Sequence, residues 1–239
     1  MAGAGPFAIL IAGDPIERVL KKRGGYADMI RRAGGRKPRA WLDVDLRVSS
    51  ALPKPSTVAG VVVTGSAASV TERAPWMHRA EQYLRALVAE GVPTFGICFG
   101  HQLLGQALGG EVARNPRGRE IGTVPLEIVA DDPLLASAAP PLQANATHVD
   151  TVSRLPEGAR VLARSPLEPH AVVRFSRVAW GVQFHPEMDR EVIRDYLEAR
   201  RALLVAEGLD PVALLESATD GIAGASTLTR FLDIADEAR

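Results

Sequence analysis

The sequence predicts a single α/β domain, with a mainly parallel open sheet flanked by helices and extra antiparallel strands in the C-terminal half. Three observations carry this expectation. Apolar runs rich in Val, Ile and Phe, bounded by Gly, Pro or Ser, alternate with helical patterns through the first hundred or so positions, the order expected where crossover helices join parallel strands. One run, AGVVVTG (59–65), is apolar on both faces, as a central parallel strand should be. From Glu111 onward, strand-like segments follow one another without crossover helices between them, which suits antiparallel pairing.

Taken in order, FAILIAG (7–13) forms the first strand, and a Gly-Gly pair precedes the helix YADMIRRA from Tyr26. RAWLDVDLRV (39–48) is a second strand, less buried because polar and apolar residues alternate. After the third strand at 59–65 comes a helix over 75–90, with Pro75 in its first turn and Gly91 as its stop. PTFGIC is the fourth strand. GTVPLEIVADD, ARVLARS, HAVVRFS and VAWGVQFHPE read as further strands, and 189–208 as a long helix with Asp189 as N-cap and Gly208 as terminator. Residues 209–239 are expected to be a helical extension of the same domain, weakly patterned and without evident chemistry. No internal repeat or low-complexity segment marks a boundary.

Composition narrows the class of partner. Lys plus Arg equals Asp plus Glu at 28 each, so no net field favours nucleic acid or an anionic membrane, and a small ligand is expected instead. A single cysteine excludes an internal disulfide and a multi-thiolate metal site, and suits a reducing compartment. The N-terminal stretch lacks the pattern of a signal peptide, and no run approaches the ~20 apolar residues of a membrane span. A soluble, cytoplasmic protein is expected, with no bound metal or cofactor and no ATP-type glycine loop.

The cysteine sits in Gly96-Ile97-Cys98-Phe99-Gly100, a G-x-C-x-G pattern between a strand and a helix. A lone cysteine is most often a buried hydrophobe. Here, however, small residues two before and two after would clear space for a strained turn that lifts a nucleophile above the sheet. The following helix would aim backbone N–H groups at the sulfur, favouring its thiolate. A nucleophile needs a base, and His185 in AWGVQFHPEM falls at a strand end, with Pro186 fixing the backbone and Glu187 following. Glu187 could accept from one imidazole nitrogen and leave the other for the thiol, giving a Cys-His-Glu relay. His101, close to Cys98 in sequence, is a competing base but is expected to pack near the turn; His78 and His170 are expected on the surface or in loops.

These two settings resemble the class I, triad-type glutamine amidotransferases, whose signatures are a G-x-C-x-G-H-Q elbow and a later Q-F-H-P-E segment, here GICFGHQ (96–102) and QFHPE (183–187). The resemblance runs over about 7–208 and is nearest to the GMP-synthase-type branch, through PWMHRAEQYLRALVAEGVP, ALGGEVARNPRGREIG and HVDTVSRLPEGARVLARS. It implies a flavodoxin-like fold, an amidotransferase domain over 1–208, and catalysis by Cys98, His185 and Glu187. TGSAASV (64–70) resembles the family's oxyanion loop, implying Gly65 or Ser66 together with Phe99 as backbone donors. Gln102, His148, Val149 and Asp150 are implied contacts for glutamine. The family's synthetase region does not appear, so ammonia is expected to pass to an acceptor on a partner protein. Two other readings stay open: a γ-glutamyl peptidase or hydrolase using the same triad, and a non-catalytic binding module on the same scaffold.

Overall fold

The computed structural model describes residues 5–35, 38–49, 51–136 and 142–238. In chain order the first half comprises β1 (Phe7–Ile11), α1 (Glu17–Arg23), α2 (Tyr26–Ala33), β2 (Trp41–Asp45), β3 (Gly60–Val63), α3 (Pro75–Ala89), β4 (Thr94–Ile97) and α4 (Phe99–Ala107). Five short strands follow: β5 (Glu111–Arg114), β6 (Glu120–Pro125), β7 (Glu127–Ile128), β8 (Gln143–His148) and β9 (Asp150–Arg154). The rest is β10 (Arg160–Arg164), β11 (Val172–Ser176), β12 (Ala179–Val182), α5 (Arg190–Ala199), α6 (Arg201–Ala206), α7 (Pro211–Ser217) and α8 (Ile222–Glu237).

Among the described residues the main sheet has the order β2-β1-β3-β4-β12-β11-β10-β7. The first five strands are mutually parallel, and β11, β10 and β7 continue it antiparallel. The mixed sheet expected from sequence is therefore present. VAWGVQFHPE contributes β12, which belongs to the parallel block and hydrogen-bonds β4 in register from Ala179 opposite Thr94 to Val182 opposite Ile97. This pairing brings the strand that leads to His185 alongside the strand that leads to Cys98.

Alternation along each strand divides the core in two. Ala8, Leu10, Val61 and Val63 face α3 and α4, while Phe7, Ile9, Val62, Phe95 and Ile97 face α2 and α8. Helix α8 is integral to the second layer: Phe231 is fully buried and stacks on Phe95 with ring centroids 4.9 Å apart. Arg39 ties the same helix down by ion pairs to Asp233 at 3.2 Å and Asp236 at 3.0 Å.

Three local features differ from the expectation. GTVPLEIVADD splits at Pro125, which has no N–H for a ladder; β6 pairs with β8 in a separate ribbon, while β7 joins β10 at the edge of the main sheet. The 189–208 helix keeps its N-cap, Asp189 accepting from the Val192 N–H at 2.9 Å, and its glycine stop, but it breaks at Arg200, where φ is −106° and ψ 10°. Helix α1 and strands β5, β8 and β9 are not announced by the residue pattern; β5 pairs with β9 and β8 with β6. Replacing Phe231 with Ala should lower unfolding free energy by about 3–5 kcal/mol; urea denaturation showing a loss below about 1 kcal/mol would mean that α8 is peripheral to the core.

Candidate active site

Strand β4 runs straight into Cys98, whose backbone adopts φ 50° and ψ −103°, and α4 begins at the next residue. A left-handed φ is costly for a residue with a Cβ. Among the described residues, only Arg73 shares it outside glycine. The flanking glycines are what permit it. A Cβ on Gly96 would lie 2.5 Å from the Gly100 carbonyl, and one on Gly100 would lie 2.4 Å from the Val63 carbonyl oxygen. The Cys98 N–H donates to the Val182 carbonyl at 2.8 Å, so the elbow is hydrogen-bonded to the end of the strand that precedes the histidine.

Past β12 the backbone N–H of His185 donates to the Asn145 carbonyl at 2.8 Å, fixing the segment against β8. The His185 Nδ1 and Glu187 Oε1 are 2.7 Å apart, and both side chains are buried. The Cys98 side chain is the second polar partner of the ring. Burial opposes a charged imidazole, but the charges of Glu187 and Cys98 and hydrogen bonds to both override it, lifting the His185 pKa to about 10. Tyr26 stacks on this imidazole, centroids 5.9 Å apart, and its hydroxyl meets that of Tyr196 at 2.9 Å.

The structure thus brings Cys98, His185 and Glu187 together, and separates the competing histidine from them. His101 is fully buried, with its ring against Phe175 at 5.1 Å and close under Gly181. Burial holds it neutral, with a pKa pushed down to about 3. The residues suggested for an oxyanion hole lie beside the base. A Cβ on Gly65 would come within 2.7 Å of the His185 Cε1, so the loop needs glycine there. Thr64 shapes that loop, its hydroxyl donating to the Gly65 carbonyl and accepting from the Ala12 N–H, each at 2.9 Å. Phe99 is the first residue of α4, where a backbone N–H has no partner within its own helix.

Gln102, on α4, points its amide at the Asp150 carbonyl at 2.8 Å and the Gln183 Oε1 at 3.2 Å. Gln183 in turn reaches the Cys98 Sγ at 3.6 Å. Asp150 accepts from the Ser69 hydroxyl at 2.5 Å, and the Val149 carbonyl accepts from the Asn115 N–H at 2.8 Å. His148 turns its Nε2 to Glu168 at 3.4 Å and Glu120 at 3.8 Å, in a buried cluster. Its side chain braces the 148–150 segment from behind.

A cavity of about 130 Å³ opens against His185. It is walled by the loops after β1 and β3, through Asp14 to Ile16 and Ser66 with Ala67, and by Tyr26, Thr147, Tyr196 and Arg200. Its position at the carboxyl ends of β1 and β3 is the crevice where open α/β sheets take ligands. Sequence reasoning did not single out Tyr26, Gln183, Tyr196 or Arg200 as site residues. For Gln183 a signal existed, since it opens the same QFHPE segment.

The site thus combines a thiol on a strained strand-to-helix turn with a buried imidazole–carboxylate pair at the carboxyl ends of a parallel α/β sheet. The chain matches class-I glutamine amidotransferases over residues 30–200, and it belongs to that family. It is 34% identical over 198 residues to a glutamine-hydrolyzing GMP synthase of Aeropyrum pernix, covering 81% of this chain and 34% of the relative. The chain therefore spans about a third of that protein's length. With one subunit of the glutamine-hydrolyzing GMP synthase of Sulfolobus acidocaldarius it shares 37% identity over 147 residues, covering 59% of this chain and 76% of the relative. The fold is shared with a glutamine amidotransferase crystal structure from Methylobacillus flagellatus, with a TM-score of 0.76, 23% identity, and coverage of 98% of this chain and 94% of the other. A glutamine amidotransferase from Thermotoga maritima gives a TM-score of 0.72 at 22% identity, covering 97% and 98%. Among the described residues no helix is long and apolar enough to cross a membrane.

Two of the buried histidines, His101 and His185, predict opposite pH effects. His101 has its pKa lowered to about 3, so its contribution is complete above the ordinary pH 6.5 and is lost as pH falls toward 3. His185, raised to about 10, contributes fully below pH 6.5 and loses that contribution as pH rises through 10. Between pH 7 and 5 the His101 effect should remove about 2 kcal/mol of unfolding free energy. Denaturation of wild type and His101→Phe at both pH values checks this, and an undiminished pH dependence in the variant would exclude His101 as its source.

Proposed function

We propose that this chain hydrolyses the side-chain amide of glutamine through a cysteinyl thioester and delivers the ammonia to an acceptor on a partner protein. The observation that carries the reading is the continuous contact from the strained Cys98 through His185 to the buried carboxylate of Glu187. In this scheme the Cys98 thiolate attacks the carboxamide carbon. Backbone N–H groups of Gly65 or Ser66 and of Phe99 stabilise the negative oxygen that forms.

His185, held as imidazolium by Glu187, gives its proton to the departing nitrogen, and ammonia leaves as the C–N bond breaks. Water then enters, and neutral His185 takes its proton as hydroxide attacks the thioester. The C–S bond breaks, glutamate is released and the Cys98–His185 pair is restored. Glu187 never bonds to substrate; it orients the ring and stabilises its charge. We assign the α-amino group of glutamine to the 148–150 segment, which Gln102 braces at the Asp150 carbonyl.

The relatives named as single subunits of glutamine-hydrolyzing GMP synthase support a separate synthetase subunit as the acceptor's home. Glutamate release should fall at least about 10³-fold in Cys98→Ala, and about 10²- to 10⁴-fold in Glu187→Gln with KM little changed. A glutaminase assay, alone and with a candidate synthetase subunit, is the measurement. Absence of any Cys98-dependent glutamate in either setting would end this reading.

A further inference from the structure

Arg200 reaches the cavity beside His185 from the break between α5 and α6, and it lines that cavity together with His185 and Ser66. The guanidinium is held in place from two sides. It donates to the Thr147 hydroxyl, and its centre lies 5.1 Å from the ring centroid of Tyr196. Tyr196 meets the Tyr26 hydroxyl at 2.9 Å, and Tyr26 stacks on His185, so packing is continuous from the base to this cation.

What the cation lacks is a direct ion-pair partner, since Glu207 and Cys98 act on it only through space. Among the described residues no carboxylate lies within ion-pair distance of Arg200. Asp14, the acid in the cavity wall, is paired with Arg47 at 2.7 Å. Arg119, the cation that acts on Arg200 electrostatically, is already held by Glu207 at 2.7 Å. Burial first, and then the Arg119 charge, make the guanidinium less basic than usual. The guanidinium is partly buried, and a desolvated charge without a direct counter-ion gains from a bound anion.

We infer that Arg200 is a substrate-binding residue whose planar fork receives a carboxylate of the γ-glutamyl substrate inside this cavity. The inference rests on the thioester reading and names the ligand chemistry of the same site. Arginine has five N–H donors arranged to take a carboxylate with two parallel bonds, and Thr147 occupies one of them. Two sources of that carboxylate exist. One is the α-carboxylate that every γ-glutamyl compound carries; the other is a carboxylate on the departing amine, present when that amine is itself an amino acid. The side chains implied as contacts for glutamine, Gln102, His148 and Asp150, are not in the cavity wall, whereas the base that protonates the departing nitrogen is.

The test is calorimetric binding to Cys98→Ala and to Cys98→Ala combined with Arg200→Gln or Arg200→Lys. Four probes separate the sources: glutamine, its α-carboxamide, γ-glutamylglycine and γ-glutamylethylamide. Arg200→Gln should weaken every carboxylate-bearing probe that uses the site by about 10- to 100-fold, with Arg200→Lys intermediate. If the loss is seen for glutamine and vanishes for its α-carboxamide, the α-carboxylate is the partner. If it is seen for γ-glutamylglycine and vanishes for the ethylamide, the partner is on the leaving amine.

Equal affinities in the Arg200 variants for all four probes would overturn the assignment while leaving the thioester reading intact. No binding of any probe, together with no Cys98-dependent hydrolysis by wild type, would overturn both. Unchanged circular dichroism and thermal midpoint in the variants show that loss of binding is not loss of fold.

Discussion

The left-handed backbone at Cys98 is the constraint around which the site is organised. A residue with a side chain tolerates φ near 50° only when its surroundings over-determine it. Here three neighbours do so. The Cys98 N–H is bonded to Val182, Gly100 is packed against the Val63 carbonyl, and Gly96 lies under the first turn of α4. Strands β3, β4 and β12 therefore converge on one turn, and their ends lead to the 64–70 loop, the thiol and the imidazole respectively. The sulfur and the base are set by a single block of parallel sheet, so their separation does not depend on a flexible loop.

That constraint explains why part of the site was legible in the sequence. Gly96, Cys98 and Gly100 are local chemistry, where a tight turn needs small residues at fixed offsets, and QFHPE places base and orienter on one short segment. The parallel core was legible for a similar reason, because β3 is uniformly apolar and α3 begins with Pro75 and ends before Gly91. Other parts depend on tertiary contact. Arg200 and Tyr196 sit in what reads as an uninterrupted amphipathic helix, and nothing in REVIRDYLEARRALLVAEG signals that one of its arginines turns inward at a break. Strands β8 and β9 escaped detection because QANATHVDTVSR is short and polar. Their burial comes from pairing with β6 and β5, not from their own pattern. Phe231 likewise lies in a weakly patterned tail, yet it fills the core because β4 presents Phe95 to it.

Buried charge is distributed unevenly around the elbow. His185 stays charged in a desolvated place because Glu187 and Cys98 both stabilise the imidazolium. His101, one turn along α4 from the sulfur, is kept neutral because its burial outweighs the charge of Glu168. Behind the 148–150 segment a second ionic cluster has a structural role. Burial would raise the Glu168 carboxyl, but hydrogen bonding and charge from His148, with the His170 N–H and Thr151 hydroxyl, hold it below its usual range. Ser165 donates to Glu120 at 2.7 Å in the same cluster. These contacts join β6, β8 and β9 to the 165–170 segment, and so stiffen the backbone that α4 reaches through Gln102.

The two sides of the base differ in how they are built, and the difference bears on how a substrate is held. On the Gln102 side, polar groups already satisfy one another: Gln102 with Asp150 and Gln183, Asp150 with Ser69, Val149 with Asn115. A network with its hydrogen bonds made is rigid, and it can hold a ligand chiefly through backbone groups that remain open. On the Arg200 side the reverse holds. The Tyr196 ring supports a guanidinium with most of its donors unspent, beside a cavity reaching His185. In the proposal made for Arg200, such an arrangement gains from an anionic ligand, which would supply the direct ion pair that the described residues do not make. A substrate carrying both an amide to be attacked and a carboxylate at a fixed distance from it would be oriented by that pair of demands, with the elbow fixing one end and Arg200 the other.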